Sequence, residues 1–189
     1  MMILKDMQEL PIIVLVAPVC SGKSEVLAYL RRNHYVGIDM GEFLKELLMI
    51  NIPSRQGKVQ TIKEQIEKYG REKIISKLLD DLHSMYDSNM KGFVVCGMRN
   101  DIDMKILYEN VNNRIINLFI YADSLQRYSW CKNRKRRGDP MTFLEFTRID
   151  YEEIISGMGE LVKKFEFEII INNTTLENLF HEVDRRICI

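Results

Sequence analysis

Apolar positions along the chain fall into two rhythms. Ile12 to Val16 is an unbroken run of β-branched residues and Leu, as in a strand buried on both faces. Tyr35 to Ile38, Phe93 to Cys96, Ile115 to Tyr121 and Glu168 to Ile171 read as four further strands. Between them the spacing turns helical. Ser24 to Arg32 places Val26, Leu27 and Leu30 on one face. Glu42 to Ile50 is a second helix, ended by Asn51-Ile52-Pro53. Lys58 to Tyr69 and Arg71 to Met85 follow, divided at Gly70, and Leu176 to Arg186 closes the chain. Strands alternating with helices predict an α/β fold, a parallel sheet covered on both faces.

Composition narrows the class. The chain has 189 residues, 46% hydrophobic and 29% charged, which suits one globular domain. Its 27 basic and 27 acidic residues cancel, so no overall positive field points to nucleic acid. The longest apolar run is too short to span a bilayer, and no membrane partner is expected. Cys20, Cys96, Cys131 and Cys188 form no CxxC pair, and read as free thiols of a cytoplasmic protein. The N-terminus does not read as a signal peptide.

Directly after the first strand comes Ala17-Pro18-Val19-Cys20-Ser21-Gly22-Lys23-Ser24, followed at once by a helix. A phosphate-binding loop needs inward backbone N–H groups and a helix N-terminus aimed at the anion. It also needs a Lys for the outer phosphates and a hydroxyl for magnesium. The stretch from Ala17 to Glu25 is therefore the candidate phosphate-binding site, with the Ser24 hydroxyl suited to magnesium. By itself it does not choose between kinase, motor and switch. Ala17 replaces the usual first Gly. Cys20 reads as a loop residue rather than a nucleophile.

Three further groups belong on the same edge of the sheet. Asp39 and Glu42 follow the second strand. Either carboxylate suits orientation of an acceptor hydroxyl, or plain capping of the next helix. Gly97 and Arg99 follow the third strand and suit a bidentate phosphate contact. Arg127 to Arg137 holds six basic residues in eleven before Gly138-Asp139-Pro140. Alone such a run is a solvated face or a nucleic-acid patch. Beside a phosphate loop it can be a lid that closes guanidinium groups onto a transferring phosphoryl. Arg148 and Asp150 follow on a second helix, lining the cleft or pairing at the surface. Tyr128, Trp130, Phe143 and Phe146 are expected to pack the lid helices together.

These motifs resemble the adenylate-kinase-like branch of P-loop kinases. More narrowly, the chain looks like the archaeal-type proteins related to dephospho-coenzyme A kinase. The likeness runs through the SGKS loop, Met40-Gly41-Glu42, Ile52-Pro53-Ser54-Arg55 and Tyr69-Gly70. It continues in Gly97-Met98-Arg99, Arg137-Gly138-Asp139-Pro140, Phe146 to Asp150, Gly157-Met158-Gly159-Glu160 and Ile171-Asn172-Asn173-Thr174. It implies a five-stranded parallel sheet (core 10–41, 90–122 and 166–189), a helical substrate-binding insert (42–89) and a short Arg-rich lid (123–160). It also implies ATP–Mg2+ as donor, Arg55 and Arg99 on the acceptor's phosphate, Arg127, Arg134 and Arg137 serving the lid, and Asn172, Asn173 and Thr174 beside the adenine. The chain departs from the pattern at Ala17, at Cys96 where relatives place Asp, and at Glu42 and Lys45 where they place Asp and Arg.

Three functions follow, in order of weight. The first is transfer of the ATP γ-phosphoryl group to a small nucleotide-like acceptor, a nucleoside or deoxynucleoside monophosphate or a dephospho-coenzyme A type molecule. In that reading Lys23, Asp39, Arg134 and Arg137 are catalytic, while Asp39, Glu42, Arg55, Gly97, Arg99 and Arg148 face the acceptor. The second is a kinase acting on nucleic acid or a modified base within it. The third is an ATP-binding regulatory protein with little turnover. The chain is expected to act as a monomer or homodimer.

Overall fold

A computed structural model describes residues 9–49, 58–134, 139–140 and 142–188. Five parallel strands form one sheet: β1 (Ile12–Val16), β2 (Tyr35–Asp39), β3 (Gly92–Cys96), β4 (Ile115–Tyr121) and β5 (Glu168–Ile171), in the order β2-β3-β1-β4-β5. Ile12 sits in register with Phe93 on one side and Ile115 on the other. The helices are α1 (Lys23–Arg32), α2 (Met40–Leu47), α3 (Lys58–Tyr69), α4 (Arg71–Ser84) and α5 (Asp101–Asn110). After β4 come α6 (Ser124–Arg134), α7 (Phe143–Glu153), a π turn (Ile154–Met158) and α8 (Gly159–Lys164), and α9 (Leu176–Ile187) follows β5.

The central strand alternates its side chains between two cores. Ile12, Val14 and Val16 join Leu78 and Leu82 of α4, Leu107 of α5 and Leu161 of α8. Ile13 and Leu15 join Val26 and Leu30 of α1 and Leu179 and Val183 of α9. Every residue of β1 is buried, which explains the unbroken apolar run. Strand β5 lies at the sheet edge, where only Ile170 is buried and Ile169 and Ile171 remain exposed. A run of β-branched residues therefore has different meanings in β1 and β5.

Helix α2 begins at Met40, two residues before the expected Glu42, because Asp39 caps it. Helix α7 starts with a capping box, Thr142 and Glu145 each bonding the other's backbone N–H. Tyr128, Phe143 and Phe146 form a ring cluster with centroids 5.5–6.3 Å apart. Trp130, expected there too, is half-buried outside the ring contacts of the described residues. All four cysteines are free. No helix among the described residues is long and apolar enough to cross a membrane.

The strand order places a ligand crevice. From β1 the chain passes beyond β3 to form β2, and from β3 it crosses β1 to reach β4. Connections thus leave β1 and β3 toward opposite sides, and the space beyond their carboxyl ends is where such sheets hold ligands.

Candidate active site

The loop from Ala17 to Gly22 emerges from that edge. Cys20 has φ 61° and Gly22 has φ 96°, so the chain coils back before entering α1 at Lys23. Left-handed turns of this kind gather backbone N–H groups into an anion-binding concavity. At the start of α1 the Glu25 N–H already donates to Gly22 O at 3.0 Å, which leaves the N–H groups of Lys23 and Ser24 as the helix's contribution to an anion. Gly22 is required twice: by its φ, and because a Cβ there would stand 2.6 Å from Asn172 Nδ2. Ala17 is buried at the end of β1 and Ser24 and Glu25 are exposed in the first turn of α1. Ser21 is fully buried, and its Oγ has no hydrogen-bond partner among the described residues. An orphaned hydroxyl, a left-handed loop and a helix N-terminus together fit a bound polyphosphate.

Lys23 reaches across the edge. Its Nζ lies 3.7 Å from Asp39 Oδ2 at the end of β2. A Cβ on Gly97 would come within 3.9 Å of that same Nζ, so the ammonium group runs directly under the β3 loop. Asp39 uses its other oxygen as the α2 cap, Oδ1 accepting from Gly41 N at 2.9 Å and Glu42 N at 3.3 Å. The capping and site roles of Asp39 therefore coexist in one carboxylate. Glu42 differs: its exposed carboxylate is bonded by Lys45 Nζ at 2.5 Å. Cys96, opposite Asp39 in the β2–β3 register, is wholly buried. Burial, ahead of any neighbouring charge, pushes its thiol up to about 12.

Two of the lid arginines are paired within the protein. Arg127 is buried, with Nε on Ala122 O at 2.9 Å, Nη1 on Val19 O at 3.1 Å, and two 2.6 Å bonds to Asp150. Its plane also lies 5.3 Å from the Phe146 ring centre. Those partners take four of its five N–H donors and make Arg127 a brace beneath the loop. Asp150 pairs with Arg127, not with Arg148, which is exposed. Arg134 makes a two-bond pair with Asp139 at 2.9 and 2.8 Å, beside Cys20. Arg55 and Arg137 lie outside the described residues.

Arg99 follows β3 and meets a partner that sequence reasoning missed. Its Nη1 lies 2.6 Å from Glu153 Oε1. Glu153 Oε2 accepts the Val19 N–H at 3.0 Å. One signal pointed to it: Phe146, Asp150 and Glu153 share one helical face, and Phe146 is fully buried. Two carboxylates at core-facing positions call for buried cationic or N–H partners.

Asn172 is buried, and its Nδ2 donates to Ser21 O at 3.0 Å, so it supports the loop from behind. Asn173 and Thr174 are exposed and line an open cavity of about 390 Å³ with Ile171, Asn178 and His181. No group of His, Cys, Asp or Glu among the described residues is arranged to hold a metal ion by itself. A magnesium ion here would need phosphate oxygens and the Ser24 hydroxyl as partners.

The fold and this loop define an α/β P-loop NTPase. The chain is 29% identical over 180 residues to UPF0200 protein PH1008 of Pyrococcus horikoshii, a match covering 93% of each chain. Among solved structures it resembles shikimate kinase from Acinetobacter baumannii in complex with shikimate. There the TM-score is 0.65 at 15% identity, over 97% of this chain and 96% of that one. A gluconokinase from Sinorhizobium meliloti 1021 superposes with a TM-score of 0.58 at 12% identity, over 96% and 93% of the two chains. No family model matches the chain.

Proposed function

We propose that this chain transfers the γ-phosphoryl group of ATP, carried with magnesium, to a small nucleotide-like acceptor. The observation that carries the reading is the convergence of Lys23 and Asp39, 3.7 Å apart at the mouth of the phosphate loop. A cation for the outer phosphates and a carboxylate to orient the acceptor are two of the groups such a transfer uses. Lys23 and the N–H groups of Cys20, Gly22 and Ser24 would hold the phosphates, and the Ser24 hydroxyl the magnesium. When bound, the metal neutralises phosphate charge and orients the transferred group. Asp39 would take the acceptor's proton, and Arg99, with Arg55, would grip its anionic group. Asn173 and Thr174 would border the base.

Likeness to a shikimate kinase and a gluconokinase supports phosphoryl transfer as the reaction type. The motif likeness to dephospho-coenzyme A kinase-related proteins supports a nucleotide-like acceptor. In this reading residues 42–89 form the acceptor insert and 123–160 the lid. Four free thiols suit work in the cytoplasm. A nucleic-acid acceptor is disfavoured by the internal pairing of Arg127 and Arg134. One observation favours the low-turnover alternative: Cys96 puts a buried thiol, not a carboxylate, at the end of β3.

ADP production from ATP–magnesium tests the proposal against nucleoside monophosphates, dephospho-coenzyme A and single-stranded nucleic acid, with Lys23→Ala as control. Stimulation by one small acceptor, lost in the variant, is the expected result. ATP binding without stimulation by any acceptor would leave the regulatory reading in its place.

A further inference from the structure

Val19 is held on both sides, directly by Glu153 of α7 and, through Arg127 of α6, by Asp150 of α7. Its N–H donates to Glu153 Oε2 at 3.0 Å, and its C=O accepts from Arg127 at 3.1 Å, whose own partner is Asp150. Asp150 and Glu153 both belong to α7, one turn apart. The far end of α7 is held in turn. Gly157, with φ 140°, lies so close to the Arg99 carbonyl that a Cβ would approach it to 2.6 Å. The π turn at Ile154–Met158 thus seats the end of α7 against the β3 loop, and Glu153 falls between that loop and the phosphate loop.

Glu153 is there an anion on a loop N–H and an arginine. Those are the partners a phosphoryl oxygen takes in such a cleft. The Glu153 side chain is 10% exposed and that of Arg99 38%, so the carboxylate is enclosed while the guanidinium still faces the opening. An arriving polyphosphate brings negative charge against this carboxylate and competes for the same donors. Arg99 in turn is not free for an acceptor while Glu153 holds it.

We propose that Glu153 is an internal stand-in for a phosphoryl group, displaced when the donor nucleotide binds. The inference rests on the phosphate-loop reading of the site. Displacement releases the Val19 N–H to the phosphates and Arg99 to the acceptor, so donor binding prepares the acceptor site. Glu153 is then a positioning residue that sets the order of binding. It also ties the state of the loop to the place of α7, because the same helix carries Asp150.

The test is the affinity of inorganic tripolyphosphate with magnesium, measured by calorimetry on the full chain. The set comprises wild type, Glu153→Gln, Glu153→Ala and Lys23→Ala. A residue that merely props the loop loses affinity when altered, whereas a competitor gains it. Both Glu153 variants are expected to bind roughly tenfold tighter, the scale of one charge-assisted hydrogen bond no longer opposed. Glu153→Gln keeps an oxygen for the Val19 N–H and the same shape, so it carries the test if Glu153→Ala does not fold. Unchanged or weaker binding in Glu153→Gln, with binding still lost in Lys23→Ala, overturns the stand-in role and leaves the phosphate-loop reading intact. Binding indifferent to Lys23→Ala, or absent from every protein, overturns both.

Discussion

Asp39 divides its carboxylate between two tasks: Oδ1 caps helix α2 through Gly41 and Glu42, and Oδ2 lies 3.7 Å from Lys23 Nζ. The cap fixes the rotamer, and the rotamer aims the second oxygen into the cleft. Asparagine caps as well as aspartate but carries no charge. Asp39→Asn should therefore keep the fold and nucleotide binding while lowering phosphoryl transfer by about 10²–10⁴-fold, the range of a lost general base. Steady-state ADP release and a melting curve on the same preparation check both halves. A variant that transfers at the wild-type rate would exclude Asp39 as the base.

The loop depends on a missing side chain at Gly22. Gly22→Ala would force a left-handed φ on alanine and drive its Cβ into Asn172. The strain alone costs about 1–3 kcal/mol. Urea unfolding should show at least that loss, with phosphate binding abolished. Adding Asn172→Ala should recover part of the stability, since it removes the clash but not the strain.

The Arg127–Asp150 pair is buried, with side chains 5% and 14% exposed. Removing one partner strands the other's charge, which typically costs about 3–5 kcal/mol. Asp150→Asn should destabilise on that scale, and Arg127→Met with Asp150→Leu together should cost less than Asp150→Asn alone. A double-mutant cycle read by denaturant midpoint settles the comparison. Loss of loop shape should accompany Asp150→Asn, because Arg127 also holds Val19 O.

Two thiols predict a pH dependence. Burial raises Cys20 and Cys96 from 9.0 to about 12 in the folded protein. A raised acid favours the protonated folded state, so its contribution is whole below the unfolded value. It declines as pH climbs from about 9 toward 12. Stability should therefore fall in alkali, and Cys20→Ala and Cys96→Ala should each flatten that limb. In alkylation followed by mass spectrometry near neutral pH, exposed Cys188 should react well before either.

Much of the fold was legible locally. The β1 run, the GKS turn and the helix after it follow from burial on two faces and from anion chemistry at a helix N-terminus, both written in consecutive residues. Asp39, Gly97 and Arg99 were legible because strand ends bring such residues to one edge whatever the details of packing. Partner choice was not legible. The basic run from Arg127 reads as free charge in sequence, yet folding spends Arg127 on Asp150 and Arg134 on Asp139. Nothing local separates a guanidinium that faces a ligand from one that braces a loop.

The chain's own order of residues determined the alternating elements, the phosphate loop and the class of fold, since each depends on neighbours within one turn or one strand. Tertiary structure decided that Glu153, 134 residues from Val19, would close on its N–H, and that Arg99 would meet a carboxylate at the cleft. Those contacts depend on how the π turn seats α7 against the β3 loop. A pairing across that separation is set by the geometry of the whole sheet and its helices, and leaves no periodic trace in either segment.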